Sequence, residues 1–337
     1  MRVAVIGAGG WGTALSVVAA RAGREVRLWS RNASVVADIN GRRVNGAYLD
    51  GHALPGGVSA TTDAGAALEG AGLVLLAAPS HATRAVLEGM RGLFGPDAVL
   101  VSATKGVEHE TGRRISEVVA EVLGEDAARR FACLSGPSFA REVAAGQPTA
   151  VVASSLDESL ARLVQRALSA QNFRVYTNPD VVGTELGGAS KNVMALAAGM
   201  VAGLGLGTNT VAALVTRGLA EMTRLALAEG GRLETLTGLA GLGDLVLTCT
   251  GGLSRNRFVG QELGRGRSLE DVLAGMREVA EGVRTTRAVR LIAARRGVEM
   301  PITEEVHAVL YDGKPARAAV ESLISRPLRE EFEVSRL

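Results

Sequence analysis

The stretch that most constrains this chain is Gly7-Ala8-Gly9-Gly10-Trp11-Gly12. Its glycines follow a G-x-G-x-x-G spacing, and the flanking residues give that spacing its weight. Arg2-Val3-Ala4-Val5-Ile6 is a short apolar, β-branched run that reads as a buried strand. Thr13 to Ala22 reads as a helix stopped by Gly23, and Glu25-Val26-Arg27-Leu28-Trp29 as the next strand. A strand, a glycine turn, a helix and a second strand open a βαβ dinucleotide-binding unit. There Gly7, Gly9, Gly10 and Gly12 permit a tight turn, close backbone approach to a pyrophosphate, and close helix–strand packing. The pyrophosphate itself belongs at the helix N-terminus, among unpaired backbone amides.

The end of the second strand bears on which nucleotide is bound. An acid is the usual acceptor for ribose hydroxyls at this place, but the chain reads Ser30-Arg31-Asn32. Arg31 is either a partner for a 2′-phosphate or a solvated surface cation. NADPH is therefore expected to be accepted, with preference over NADH left open.

The strand–helix alternation continues. Asp63 can cap a short helix ending near Gly70; Leu73–Ala78 reads as a strand, Pro79-Ser80-His81 as the start of a loop, and Ala82–Leu93 as a helix. Ala98–Ser102 is a strand that runs into Thr104-Lys105-Gly106. Lys105 thus stands at a strand's C-terminal end, the edge where open α/β sheets bind ligands. A helix over 111–123 and strands at 131–134, 149–153 and 173–176 follow, with a helix over 157–170. Directly after the first of these strands comes Ser135-Gly136-Pro137-Ser138-Phe139-Ala140, a strand-to-helix turn. Its amides and the Ser138 hydroxyl could hold an anion; an ordinary Ser N-cap satisfies the position equally.

At Asn178-Pro179-Asp180 the pattern changes to helical periodicity. The expected division is a Rossmann-like α/β domain over 1–180 and an all-α domain over 181–337. Helices are expected near 180–205, 208–230, 268–276, 282–296 and 302–312. The segment Glu185–Met194 carries one Lys inside an otherwise apolar run. A buried ammonium is costly unless paired or functional. Of 37 basic residues only Lys105, Lys191 and Lys314 are Lys. Arg keeps its proton near neutral pH, whereas a desolvated Lys can release one. Lys191 is accordingly read as the proton-transfer residue.

Two glycine-rich loops complete the second half. Gly238-Leu239-Ala240-Gly241-Leu242-Gly243-Asp244 ends in an acid that could orient Lys191, accept from a substrate hydroxyl, or merely cap a helix. Cys249-Thr250-Gly251-Gly252-Leu253-Ser254-Arg255-Asn256 offers glycine backbone, a hydroxyl, a guanidinium and a helix start, the parts of a phosphate site. A solvated Arg loop weighs about evenly against it.

Composition narrows the class. The chain has 337 residues, 47% apolar and 21% charged, a soluble globular balance. The net charge of +2 and 3% aromatic content do not suggest a nucleic-acid or membrane surface. Ala195–Gly207 is too short and too broken by Gly for a membrane span. Cys133 and Cys249 lie far apart with no His nearby, and the four His have no ligand spacing, so no metal is assigned. Two unpaired cysteines and a start that enters a strand at once, without a signal peptide, point to the cytoplasm.

Several strings together resemble bacterial NAD(P)-dependent glycerol-3-phosphate dehydrogenases. They are Gly7–Leu15, Pro79-Ser80-His81, Ala103-Thr104-Lys105-Gly106, Ser135–Ala140, Leu186–Asn192, Thr216–Met222, Gly241–Leu245, Thr248-Cys249-Thr250, Ser254–Arg257 and Met300–Glu304. The resemblance implies reversible reduction of dihydroxyacetone phosphate by NAD(P)H to sn-glycerol 3-phosphate, a precursor of phospholipids. It implies cofactor contacts from Gly10, Trp11, Arg31, Lys105, Ala140, Arg255, Val279 and Glu281. It implies substrate contacts from Lys105, Gly136, Ser138, Lys191, Asp244, Ser254, Arg255 and Asn256. Lys191 would accept the proton in oxidation, with Lys105 a second positive group and Asp244 orienting the pair. Many members carry Ser where this chain has Gly10, so a hydroxyl contact is absent here. The only partner implied is the phosphorylated substrate; oligomeric state is left open, a homodimer included. A β-hydroxyacid dehydrogenase with the same fold, or a non-enzymatic NAD(P) sensor, are the competing readings.

Overall fold

The computed structural model describes residues 1–276, 280–328 and 330–331. The chain divides into two compact units. The first comprises Met1–Lys105 and Arg113–Val181; the second takes Gly106–Gly112 and continues from Val182. A single cut near 180 does not anticipate the excursion of 106–112. Val107 is fully buried in the second unit's core, which explains that assignment.

The first unit is built on an eight-stranded sheet: β1 (Arg2–Ile6), β2 (Glu25–Trp29), β3 (Val58–Thr61), β4 (Ala71–Leu76), β5 (Val99–Ser102), β6 (Phe131–Ser135), β7 (Thr149–Ser154) and β8 (Phe173–Asn178). The order is β3-β2-β1-β4-β5-β6-β7-β8, parallel except where β6 meets β7. Strands buried on both faces need apolar side chains throughout, and β1 supplies them. Val3 and Val5 join a core with Ala14, Leu15 and Val18 of the helix Gly10–Arg21. Ala4 and Ile6 join another with Leu68, Leu87 and Ile115. β1 lies between β2 and β4, where the strand order reverses. The crevice beyond the strands' C-terminal ends at such a switch point is where open α/β sheets bind ligands. Pro79-Ser80-His81 differs from the expected loop: Ser80 and His81 already lie in the helix Ser80–Gly89.

β3 is not among the strands expected from the sequence; Val58-Ser59-Ala60-Thr61 is short and half polar. Asn32 caps the helix Ala33–Ala37 by accepting from the Ser34 amide. A wide helical turn, Asp38–Arg42, follows and ends at Arg43 with φ 57. That left-handed conformation is held by the Arg43 guanidinium, which donates to the carbonyls of Val58, Leu54 and Pro55.

The second unit is helical. Its helices include Val181–Gly203, Thr208–Ala228, Asp244–Thr250, Arg255–Gly264, Glu281–Arg296, Pro301–Tyr311 and Ala316–Ile324. Val181–Gly203 runs 23 residues and is buried almost throughout. It crosses Arg255–Gly264 at backbone contact: a Cβ on Gly199 or Gly203 would collide with the carbonyls of Arg257 or Gln261, and one on Gly260 or Gly264 with those of Leu196 or Met200. Small residues four apart on both helices allow this approach, which brings Asn256 of one helix against Asn192 of the other. Glu221, 2% exposed, sits on Thr208–Ala228. Its carboxyl accepts from the Ile302 amide at 2.6 Å and the Thr303 amide at 3.3 Å, capping Pro301–Tyr311. Burial pushes this carboxyl up to about 7 against the pull of those amides. Among the described residues no helix is long and apolar enough to cross a membrane.

Candidate active site

The glycine turn of the first unit has the form a dinucleotide needs. Gly7 adopts φ +113, and a Cβ there would press on the Ala77 carbonyl at 2.9 Å. A Cβ on Gly12 would strike the Gly7 carbonyl, so helix and strand could not close together. Gly9 is the N-cap of Gly10–Arg21, extended at φ −69 and ψ 178, without a side-chain cap. Nothing lies within 4 Å of where its Cβ would be. No acid occupies the helix's first turn. The first-turn amides of a helix have no intrahelical acceptors, and here no carboxylate competes for them. A pyrophosphate therefore fits this turn. The absence of a side chain at Gly10 has a local cause as well: its Cβ would sit 3.0 Å from the Tyr48 carbonyl. Ala140 is the neighbour on the other side, at 3.8 Å from the same point. Arg31 stands exposed just beyond β2.

Lys105 is placed at the C-terminal side of β5. Its ammonium donates to the Gly136 carbonyl at 2.7 Å and the Ser138 hydroxyl at 3.0 Å. It also lies 5.7 Å from the centre of the Trp11 ring, whose indole N–H donates to the Ala103 carbonyl. Ser138 is not a helix cap. The cap of Ala140–Ala144 is Phe139, and Ser138 donates instead to the Gly136 carbonyl at 2.9 Å. Lys105, Gly136, Ser138 and Trp11 are thus one cluster.

In the second unit Lys191 is 5% exposed. Its Nζ donates to Asp244 Oδ1 at 2.7 Å and to Thr248 Oγ1 at 2.8 Å. Asp244 is 1% exposed and opens the helix Asp244–Thr250. Thr248 lies one helical turn on and donates to the Asp244 carbonyl at 2.6 Å. A buried ion pair must have its remaining hydrogen-bonding capacity met to be tolerated, and Thr248 supplies part of that. Of the roles open to Asp244, the geometry selects the partner of Lys191 over a helix cap. Cys249 is buried next in sequence; burial holds its thiol up at about 12, which makes it inert packing and no nucleophile.

Beside Lys191, Asn192 accepts through Oδ1 from Asn256 Nδ2 at 2.9 Å. Asn256 Oδ1 in turn accepts from the Gly282 amide at 2.9 Å. A Cβ on Gly282 would lie 2.6 Å from the Asn192 carbonyl, so only glycine lets these elements meet. The Ser254 hydroxyl accepts from the Arg257 amide at 3.2 Å as the N-cap of Arg255–Gly264. Arg255 is exposed at the first position of that helix. Glu281 begins Glu281–Arg296; Val279 lies outside the described residues. Among the described residues no group of three or more His, Cys, Asp and Glu could hold a metal.

Sequence reasoning did not single out Thr248 or Asn192 for a role. The signal for Thr248 was its spacing, four residues beyond Asp244, but that signal exists only once 244–250 is known to be helical. Asn192 had no separate signal beyond its place next to Lys191.

Comparison with known proteins matches this arrangement. The model for the N-terminal part of NAD-dependent glycerol-3-phosphate dehydrogenase matches residues 2–161, and that for its C-terminal part residues 180–321. A glycerol-3-phosphate dehydrogenase [NAD(P)+] of Koribacter versatilis is 56% identical over 332 residues, covering 98% of each chain. One from Geobacter sulfurreducens is 53% identical over 330 residues, again 98% of each. The crystal structure of glycerol-3-phosphate dehydrogenase from Coxiella burnetii superposes with a TM-score of 0.92 at 42% identity, covering 96% of this chain and 99% of that one. With its glycine turn, its paired Lys191 and these matches along nearly its whole length, the chain belongs to the NAD-dependent glycerol-3-phosphate dehydrogenase family.

Proposed function

We propose that this protein reduces dihydroxyacetone phosphate to sn-glycerol 3-phosphate with NADPH or NADH, reversibly, and that Lys191 is its general acid and base. The observation that carries the assignment is the Lys191 ammonium, buried and fixed at 2.7 Å by Asp244 and at 2.8 Å by Thr248. When bound, the reduced nicotinamide supplies the hydride that reduces C2 of the ketone. The oxygen on C2 then needs a proton. Lys191 donates it in reduction and takes it back in oxidation, a contribution typically on the order of 10²–10⁴-fold. Asp244 keeps the ammonium ready to donate, and Thr248 fixes its direction. The phosphate is held by Arg255 with the N-terminal amides of Arg255–Gly264, near Ser254 and Asn256. In the first unit Gly7, Gly9, Gly10, Trp11, Gly12, Arg31 and Ala140 serve the cofactor, while Lys105, Gly136 and Ser138 serve cofactor and substrate oxygens. Arg255 and Glu281 are proposed as the second unit's cofactor contacts. The product is a glycerol backbone for phospholipid synthesis, made in the cytoplasm, and the working form is a homodimer.

The test is oxidation of NADPH and of NADH by the purified protein with dihydroxyacetone phosphate, dihydroxyacetone or a 3-keto acid. Turnover confined to the phosphorylated ketone is expected. Equal turnover of the unphosphorylated ketone would remove the phosphate loop from the account. Preference for the keto acid would move the protein to hydroxyacid chemistry, and no turnover by folded, cofactor-binding protein would leave a sensor. Sedimentation of the purified chain as a monomer would refute the homodimer.

A further inference from the structure

The glycine turn does not hold its shape alone. Asn45 is 37 residues from Ala8 in sequence and fully buried against it. Its Nδ2 donates to the Ala8 carbonyl at 2.9 Å and to Thr13 Oγ1 at 2.7 Å. One hydrogen of that amide thus reaches the middle of the turn, and the other reaches the first turn of the helix Gly10–Arg21. The asparagine is itself fixed. Its backbone carbonyl accepts from the Leu49 amide at 2.9 Å, and its Oδ1 from the Tyr48 amide at 3.3 Å. An isolated bridge between Asn45 and Leu49 closes this small loop. The same loop sets the Tyr48 carbonyl against Gly10.

The Ala8–Gly9 peptide is planar and trans, so its carbonyl and its N–H point in opposite directions. Holding the Ala8 carbonyl toward Asn45 turns the Gly9 N–H away from it. Thr13 donates its own amide to the Gly9 carbonyl at 3.0 Å, so the Asn45–Thr13 bond fixes the far end of the Gly9–Thr13 arc. We propose that Asn45 is a positioning residue for the cofactor, bracing the glycine turn so that its amides are oriented before a pyrophosphate arrives. A donor fixed in advance loses less freedom on binding, and that saving appears directly as affinity. The inference rests on the dinucleotide reading of the first unit. It adds a residue that lies outside the glycine spacing and that no strand–turn–helix pattern would include.

The experiment is calorimetric titration of wild-type protein and of the Asn45→Ala, Thr13→Val and Thr13→Ser variants with NADPH, NADH, ADP and AMP, with melting curves for each. ADP carries the pyrophosphate and AMP does not. Asn45→Ala should weaken NADPH, NADH and ADP by a common factor of about tenfold, with AMP changed far less. Thr13→Val should show the same pattern more weakly, and Thr13→Ser, which keeps the hydroxyl acceptor, should restore it. If Asn45→Ala does not fold, the Thr13 pair carries the test. A lower melting temperature with unchanged ADP affinity would overturn the proposal, because Asn45 would then brace the fold only. Equal weakening of ADP and AMP would overturn it too. Failure of the wild-type protein to bind any dinucleotide would instead sink the cofactor reading, and this inference with it.

Discussion

Lys191 and Lys105 are two of only three lysines in the chain, and their surroundings differ in kind. Lys191 is buried on a long helix and donates to a carboxylate and a hydroxyl. Lys105 is partly buried in a loop beyond a strand, and it donates to a carbonyl and to a hydroxyl. A carboxylate partner stabilises the charged form of a buried amine and gives a fixed proton donor. The Gly136 carbonyl and the Ser138 hydroxyl orient the Lys105 ammonium at the end of a strand, a placement that suits gripping an anionic ligand. The same residue type is thus read as an acid in one unit and as a binding group in the other. Removing each lysine in turn tests that contrast.

The largest effect should come from Lys191→Met. Turnover should fall on the order of 10²–10⁴-fold while NADPH binding to the first unit persists. The variant also leaves Asp244 buried without its cation, and loss of one partner of a buried pair costs about 3–5 kcal/mol, so its melting temperature should drop as well. Near-normal turnover would erase the distinction between the two lysines. Lys105→Met should behave differently. One or two charge-assisted hydrogen bonds of about 1.5–3 kcal/mol each would be lost, mainly as a higher KM for the phosphorylated ketone. A kcat loss as deep as that of Lys191→Met, with KM unchanged, would instead make Lys105 a party to the chemistry.

Glu221 sharpens the comparison from the opposite side. It is buried like Lys191, but its hydrogen bonds come from the backbone amides of Ile302 and Thr303 and the Thr303 hydroxyl, with Arg224 an electrostatic neighbour. Burial raises it from 4.5 to about 7. A raised carboxyl binds its proton more tightly in the folded state, so its contribution to stability is complete below 4.5 and is lost as pH rises through about 7. The melting temperature should therefore decline across that window. Glu221→Gln, which keeps a carbonyl to accept from the Ile302 amide, should flatten the decline. An unchanged slope in the variant would show that the carboxyl is not the group responsible.

Local features of this fold were legible in the sequence. The glycine turn shows because strand, glycines and helix are contiguous, and the cap at Asp63 shows for the same reason. Lys191 stood out because a cation interrupts an apolar helix. What stayed hidden depends on distance or on punctuation. Lys191 and Asp244 are 53 residues apart, so an acid after a glycine run could be proposed as its partner but not distinguished from a cap. Helices Leu233–Thr237, Asp244–Thr250 and Ala316–Ile324 were not separated out, and of Arg255–Gly264 only the start was read. The glycines that obscure Arg255–Gly264 are there to let two helices touch, and glycine reads as a breaker when its packing partner is unknown. Asn45 gave no sign at all, since its importance lies wholly in reaching Ala8 across a folded loop.

The most direct test of the account is Lys191→Arg, followed through a single turnover with dihydroxyacetone phosphate and NADPH. Arginine keeps the positive charge opposite Asp244 but holds its proton too tightly to pass it on. The account predicts a folded protein that binds cofactor and ketone yet reduces the ketone at least about 100-fold more slowly. Reduction at close to the wild-type rate would show that charge alone suffices at this position and that Lys191 transfers no proton.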